Sequence, residues 1–271
     1  MTAYIQRMAG QIPDDWVFSA MLGFKNKGWT IKYFEEEDCI GCLPLKDDIV
    51  IVGYIETTIK YFELYNIPVP KPLNIPESLR TPLFLGSGRV IGETTVGDIK
   101  GGLQLPIFIK PADRVKQFCS GLLENQKLVP YILNDAPDSA KAMTSTPMNF
   151  ISEWRCFVHK GELVGMHHYS GDFMFTPETR LIKFMVEQYK DAPVAYTLDV
   201  GVYESTYTTS CGNVIKGHAT ALVECNDMWS VGHYGLRADT YATLLRDRWF
   251  EIMKTRVERP HIPLKAKVVT S

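Results

Sequence analysis

The sequence predicts an α+β protein that opens with a small α/β unit. Two observations carry that reading. Helix-like and strand-like segments mix along the 271 residues without the regular alternation of a βαβα chain. Near the start, "DIVIVGYIETTIKYFELYNIPVPKPL" runs through a short apolar strand, an amphipathic helix and a proline-rich exit in succession. Three regions follow: 1–80 as the α/β unit, 81–148 as a central lobe and 149–271 as a C-terminal lobe.

In the first region Ile49 to Val52 read as a buried strand, and Ile55, Ile59 and Phe62 fall at helical spacing. "IPVPKPLNIP" ends that helix, because proline lacks the amide a helix interior needs. In the second region "PIFIK" is a short strand, and "PYILNDAPDSAKAMTSTP" reads as a strand passing into a loop. The third region begins with a hairpin, "NFISEWRCFV" and "LVGMHHY" around a turn at "HKGE". "PETRLIKFMVEQY" predicts a helix capped by Thr176 with Pro177 in first position. "VAYTLDVGVY" and "HATALVECND" are two further strands. Tyr241, Leu244, Leu245, Trp249, Ile252 and Met253 mark a last amphipathic helix.

Composition excludes several classes. Hydrophobic residues make up 45% and charged residues 22%, with a net charge of −2, so neither a general nucleic-acid binder nor a membrane-surface protein is expected. No apolar run reaches the roughly 18 residues of a membrane span, and the N-terminus lacks a signal-peptide pattern; a cytoplasmic location is the expectation. The six cysteines include one CxxC, Cys39 and Cys42, without a second pair or histidines at ligand spacing. They read as reduced structural thiols.

Side chains alternate faces along a strand. In "YTLDVGV", Asp199 points away from Tyr196, Leu198, Val200 and Val202. In "ALVECN", Glu224 and Asn226 share one face, while Ala221, Val223 and Cys225 share the other. A carboxylate from one strand with a carboxylate and a carboxamide from the next is either a solvated sheet face or half a magnesium site, since magnesium takes oxygen ligands. On the hairpin, Phe150, Ser152, Trp154, Cys156 and Val158 form the core face. Glu153 and Arg155 lie opposite, either as a surface ion pair or as a ribose and a phosphate ligand. Lys110 ends its strand on the face away from Ile107 and Ile109, either snorkelling or holding phosphate; Lys116 follows on a loop. There is no P-loop, no dinucleotide fingerprint and no nucleophile elbow. His167 and His168 must face opposite ways, and His233 and Tyr234 follow the acidic cluster.

Taken in order, "PIFIKPAD", "SEWRCFVHKGELVG", "YTLDVGV" and "LVECND" resemble the ATP-grasp superfamily, and the resemblance spans most of residues 50–236. It is similar in particular to a divergent clade associated with phages and viruses, which would place the protein in a host cytoplasm. The resemblance implies two α+β lobes clasping ATP behind a pre-ATP-grasp domain. It implies Lys110 on the nucleotide phosphates, Glu153 on the ribose, Arg155 neutralising developing charge, and magnesium on Asp199, Glu224 and Asn226. Arg89 is the candidate for an arginine that replaces a usual phosphate lysine. "ADRVKQFCSG" stands where a glycine- and serine-rich lid is usual, so Lys116 is expected to act electrostatically there. Adenine is expected near Pro130 to Leu133, and Tyr169, Asp172, His233 and Tyr234 on the acceptor side. The implied activity is a carboxylate–amine ligase, acting on a small-molecule or peptide carboxylate and an amine through an acyl phosphate. The alternatives are a nucleotide-binding protein without turnover and a phosphotransferase on the same scaffold.

Overall fold

The computed structural model describes residues 1–35, 40–208 and 211–257. Cys39 lies outside them; Cys42, Cys119, Cys156, Cys211 and Cys225 are free thiols.

The chain opens with β1 (Thr2–Arg7), α1 (Asp15–Asn26), β2 (Thr30–Glu35), β3 (Ile49–Val52) and α2 (Ile55–Leu64). The three strands form a parallel sheet in the order β2-β1-β3. All four residues of β3 are buried, as expected of a parallel strand covered on both faces.

A short helix, α3 (Pro82–Leu85), leads into β4 (Ile91–Thr95), α4 (Val96–Gly101), β5 (Ile107–Pro111), β6 (Gly121–Leu123), α5 (Val129–Leu133) and β7 (Lys141–Ser145). Their strands make an antiparallel sheet in the order β4-β7-β5-β6. "PYIL" is therefore helix, not strand. Pro130 sits in the first turn of α5, where its missing amide costs nothing, and a four-residue apolar run has no period to tell the two apart. The strand lies instead in "KAMTS", read from sequence as loop.

The last part holds β8 (Phe150–His159), β9 (Glu162–Gly171), α6 (Thr179–Gln188), β10 (Ala195–Thr208), β11 (Val214–Asp227) and α7 (Ala238–Met253). The sheet order is β11-β10-β8-β9, all antiparallel. Lys160 and Gly161 turn the β8–β9 hairpin with φ of +52° and +76°, the pair of positive values that matches strand twist in a two-residue turn. α6 starts at Thr179, two residues later than expected, and the Glu178 amide just before it donates to Thr220 Oγ1 at 2.8 Å.

Two cores meet at this sheet. Cys156, Val158, Leu198 and Leu222 pack with Ile182 and Met185 of α6. Phe157, on the other side of β8, joins the core of the N-terminal unit. So does α7, which packs on α1 and places Trp249 against Tyr61 and Phe62 of α2 at 5.7 and 5.3 Å. The N-terminal unit, the hairpin and the last helix thus share one apolar interior, and this fixes the second sheet against the first unit.

Candidate active site

A cleft of about 1030 Å³ opens between the two four-stranded sheets. The crossing from β7 to β8, Thr146 to Met148, forms part of its wall, with Ile55 of α2 and Pro72 lining it as well. Lys110 reaches it from β5, because Ile109, its neighbour on the opposite face, is fully buried in the first sheet's own core. Glu224 and Asn226 reach it from β11.

The charged groups are paired across the cleft. Lys110 Nζ lies 3.1 Å from Glu224 Oε2. Arg155 Nε and Nη2 donate to Asp199 Oδ1 and Oδ2 at 2.8 and 2.5 Å. That pair follows from register, since Asp199 stands directly opposite Arg155 on neighbouring strands. The surface pair between Glu153 and Arg155 is not formed. Arg155 is buried, and Glu153 instead accepts the Tyr169 hydroxyl at 2.8 Å. The two residues stand on one strand; the nearer partner for each comes from the neighbouring one.

The β11 pattern breaks at Val223. Asp199 pairs with Glu224 but Val200 pairs with Leu222, so Val223 is an extra residue in a bulge. Leu222, not Val223, therefore shares the core side with Cys225. The carbonyls of Leu222 and Val223 accept Arg89, the second at 3.0 Å, while Arg89 Nε donates to Ser145 Oγ at 2.8 Å. Arg89 thus bridges β7 and β11. Phe150 also departs from its expected core face: it lines the cleft, and its ring occupies the space above Gly201. A Cβ on Gly201 would collide with Phe150 Cδ1, so only glycine admits the ring there.

Electrostatics follow burial. Burial pushes the Asp199 carboxyl up to about 6, against the opposing pull of Arg155. Burial also weakens the Arg89 charge, whose pKa falls to about 10 with Glu224 resisting. For Arg155, burial is outweighed by Asp199 and its pKa rises. For Glu224, burial is outweighed by Lys110 and by the Asn226 amide, and its pKa falls.

Asn226 Nδ2 donates to Glu224 Oε1 at 2.8 Å and to Asp199 Oδ2 at 3.3 Å. A partial positive charge therefore stands between the two carboxylates, where a cation would be favoured. Two carboxylates and an amide are the hard oxygen donors magnesium takes. Among the described residues no cluster of three histidine, cysteine or acidic side chains offers another metal site.

Lys116 lines the cleft, but its Nζ is 2.6 Å from Glu56 Oε1. Tyr169 lines the cleft, and Tyr234 lies over Arg155, 4.1 Å from guanidinium to ring centre. His233 faces Asp15 of α1 at 3.4 Å and is not part of the lining. Asp172 is not brought to the cleft either; its carboxylate accepts the Met174 amide within a turn. Pro130 to Leu133 are likewise absent from the lining, which holds Asn134 and an apolar stretch of Phe108, Met143, Met148 and Phe150. Met143 and Ser145 had a signal in the sequence, since both sit on one face of "KAMTS". Asp227, read from sequence as a turn cap, accepts the Trp229 amide and is also held by Arg248 of α7 at 2.7 and 2.5 Å.

A family model described as an ATP-grasp domain, family 2 of one clade within that superfamily, matches residues 87–244. Solved structures of similar fold include a D-alanine–D-alanine ligase from Bacillus anthracis, at 10% identity over 93% of this chain and 98% of that one, TM-score 0.51. A D-cycloserine synthetase, DcsG, is similar at 10% identity over 92% and 100%, TM-score 0.51. No curated protein matches the sequence.

Proposed function

The chain belongs to the ATP-grasp superfamily, in the clade family whose model it matches, and from that premise we propose that it is an ATP- and magnesium-dependent ligase joining a carboxylate to an amine. The observation that carries this reading is the meeting of Lys110, Glu224, Asn226, Asp199 and Arg155 from four strands of two sheets at one cleft.

Bound with magnesium, ATP supplies the phosphoryl group that turns a carboxylate into an acyl phosphate, from which an amine displaces phosphate. The chain's own task is positioning and charge neutralisation. Lys110 holds phosphate oxygens, with Arg89 beside them. Asp199, Glu224 and Asn226 would hold the metal. Glu153, steadied by Tyr169, takes ribose hydroxyls. The apolar stretch of Met143, Met148 and Phe150 by the β7–β8 crossing takes the base; this replaces the expectation near Pro130. Arg155 faces the reacting end under Tyr234. Acceptors are a small-molecule or peptide carboxylate and an amine. Among the described residues no helix is long and apolar enough to cross a membrane.

The test is calorimetry of ATP binding with and without magnesium, followed by a screen of carboxylates and amines for ADP release with hydroxylamine as trap. A hydroxamate formed with ADP supports the acyl-phosphate route. ADP release without hydroxamate points to phosphoryl transfer onto another group. Binding without any turnover leaves a nucleotide-binding protein, and no binding removes the nucleotide site.

A further inference from the structure

The connection from β5 to β6, residues 112–120, is held from two sides. Its later half is anchored within its own lobe. Phe118 is buried in that lobe's core, and the Cys119 amide donates to the Ile132 carbonyl at 3.0 Å. Its earlier half reaches the N-terminal unit through two ion pairs, Arg114 to Glu63 at 3.4 Å and Lys116 to Glu56 at 2.6 Å. The two glutamates are seven positions apart on α2, about two turns, and so share one face of that helix. Lys116 adopts φ of +55°, which a residue with a side chain holds only when its surroundings require it.

Val115, Lys116 and Gln117 line the cleft, and so does Ile55 at the start of α2. The site's other basic groups find their partners within the two sheets: Lys110 on Glu224, Arg155 on Asp199, Arg89 on the bulge carbonyls and Ser145. Lys116 alone among these four takes its carboxylate from the N-terminal unit. The pair is half exposed, so its attraction is weak and salt-sensitive, and a triphosphate carrying several charges competes well for the lysine.

Resting on the nucleotide reading above, we propose that Glu56 is a further residue of this site: it is the counter-ion that Lys116 exchanges for phosphate, and together with Glu63 it fastens the 112–120 connection to α2 until nucleotide arrives. Glu56 thereby sets affinity without touching the nucleotide.

The experiment measures magnesium–ATP affinity for the wild type, Glu56→Gln, Lys116→Met and the double variant, with hydrogen exchange of residues 112–120 in the nucleotide-free proteins. Glu56→Gln is expected to tighten binding about two- to fivefold, the range of an exposed ion pair. The gain is expected to vanish in the Lys116→Met background and to shrink at high salt. Exchange across 113–117 is expected to speed up in Glu56→Gln and in Glu63→Gln. Unchanged or weaker binding in Glu56→Gln overturns the proposal, as does an equal gain without Lys116. Should the wild type bind no nucleotide, the ligase reading fails on its own, and exchange decides the fastening: faster exchange upholds it and unchanged exchange removes it.

Discussion

Lys110 and Glu224 stand 114 positions apart in the chain and meet at 3.1 Å across the cleft, one from each four-stranded sheet. Without nucleotide the pair satisfies both charges. A phosphate that takes Lys110 leaves Glu224 facing more negative charge, unless a cation takes Glu224 at the same time. Nucleotide and magnesium are therefore expected to bind cooperatively, each removing the other's cost.

Glu224→Gln removes that cost. It is expected to bind ATP without magnesium roughly tenfold more tightly than the wild type, the scale of one charged hydrogen bond freed for the ligand. It is also expected to gain little when magnesium is added. Titrations of both proteins in EDTA and in magnesium check this; an undiminished magnesium effect in the variant would rule out the exchange.

Arg155 tests the second pair. Asp199 is 1% exposed, and Arg155 bonds both of its oxygens. Arg155→Ala leaves a buried carboxylate without its cation and is expected to cost about 3–5 kcal/mol of stability. Pairing it with Asp199→Asn should recover part of that loss without restoring turnover. Urea unfolding of the three variants provides the comparison, and additive losses in the double variant would show that the pair is not coupled.

The acid limb of stability should report Asp247. On α7 this carboxylate accepts Arg246 at 2.6 Å and His159 at 2.9 Å, with Lys160 at 3.3 Å. Burial opposes its charge, but Arg246 and His159 outweigh it and lower the pKa from 3.8 to about 2. The folded state therefore binds this proton more weakly than the unfolded chain. The stabilisation is present above about pH 4 and is lost as pH falls toward 2. Asp247→Asn should be less stable than the wild type at pH 6, with the gap closing by pH 2. A gap that stays constant across urea melts at pH 6, 4 and 2 would refute the linkage.

Much of the site was legible because strands impose a period of two. Asp199, Glu224 and Asn226 could be placed on one side of their strands from alternation alone, and Lys110 could be placed opposite Ile109 in the same way. The four motifs in chain order led to the family that the match over residues 87–244 supports. Legibility ended wherever the period broke. The bulge at Val223 moved Leu222 into the core and turned two carbonyls toward Arg89. Phe150 left its expected face for the space above Gly201. Asp172 had the right chemistry but lies in a turn that consumes its carboxylate.

The sequence by itself determined the α+β class, the family, the order of the strands that carry charge, and which side chains leave the core. Those properties rest on local alternation and on residue type, which neighbouring positions encode. Only the tertiary structure decided the partners: Arg155 with Asp199 rather than Glu153, Lys116 with Glu56, and Asp227 with Arg248. It also decided that the last helix completes the core of the first unit. An ion pair depends on strand register and on the packing of elements far apart in the chain, and a carboxylate's neighbours in space are set there rather than by its neighbours in sequence.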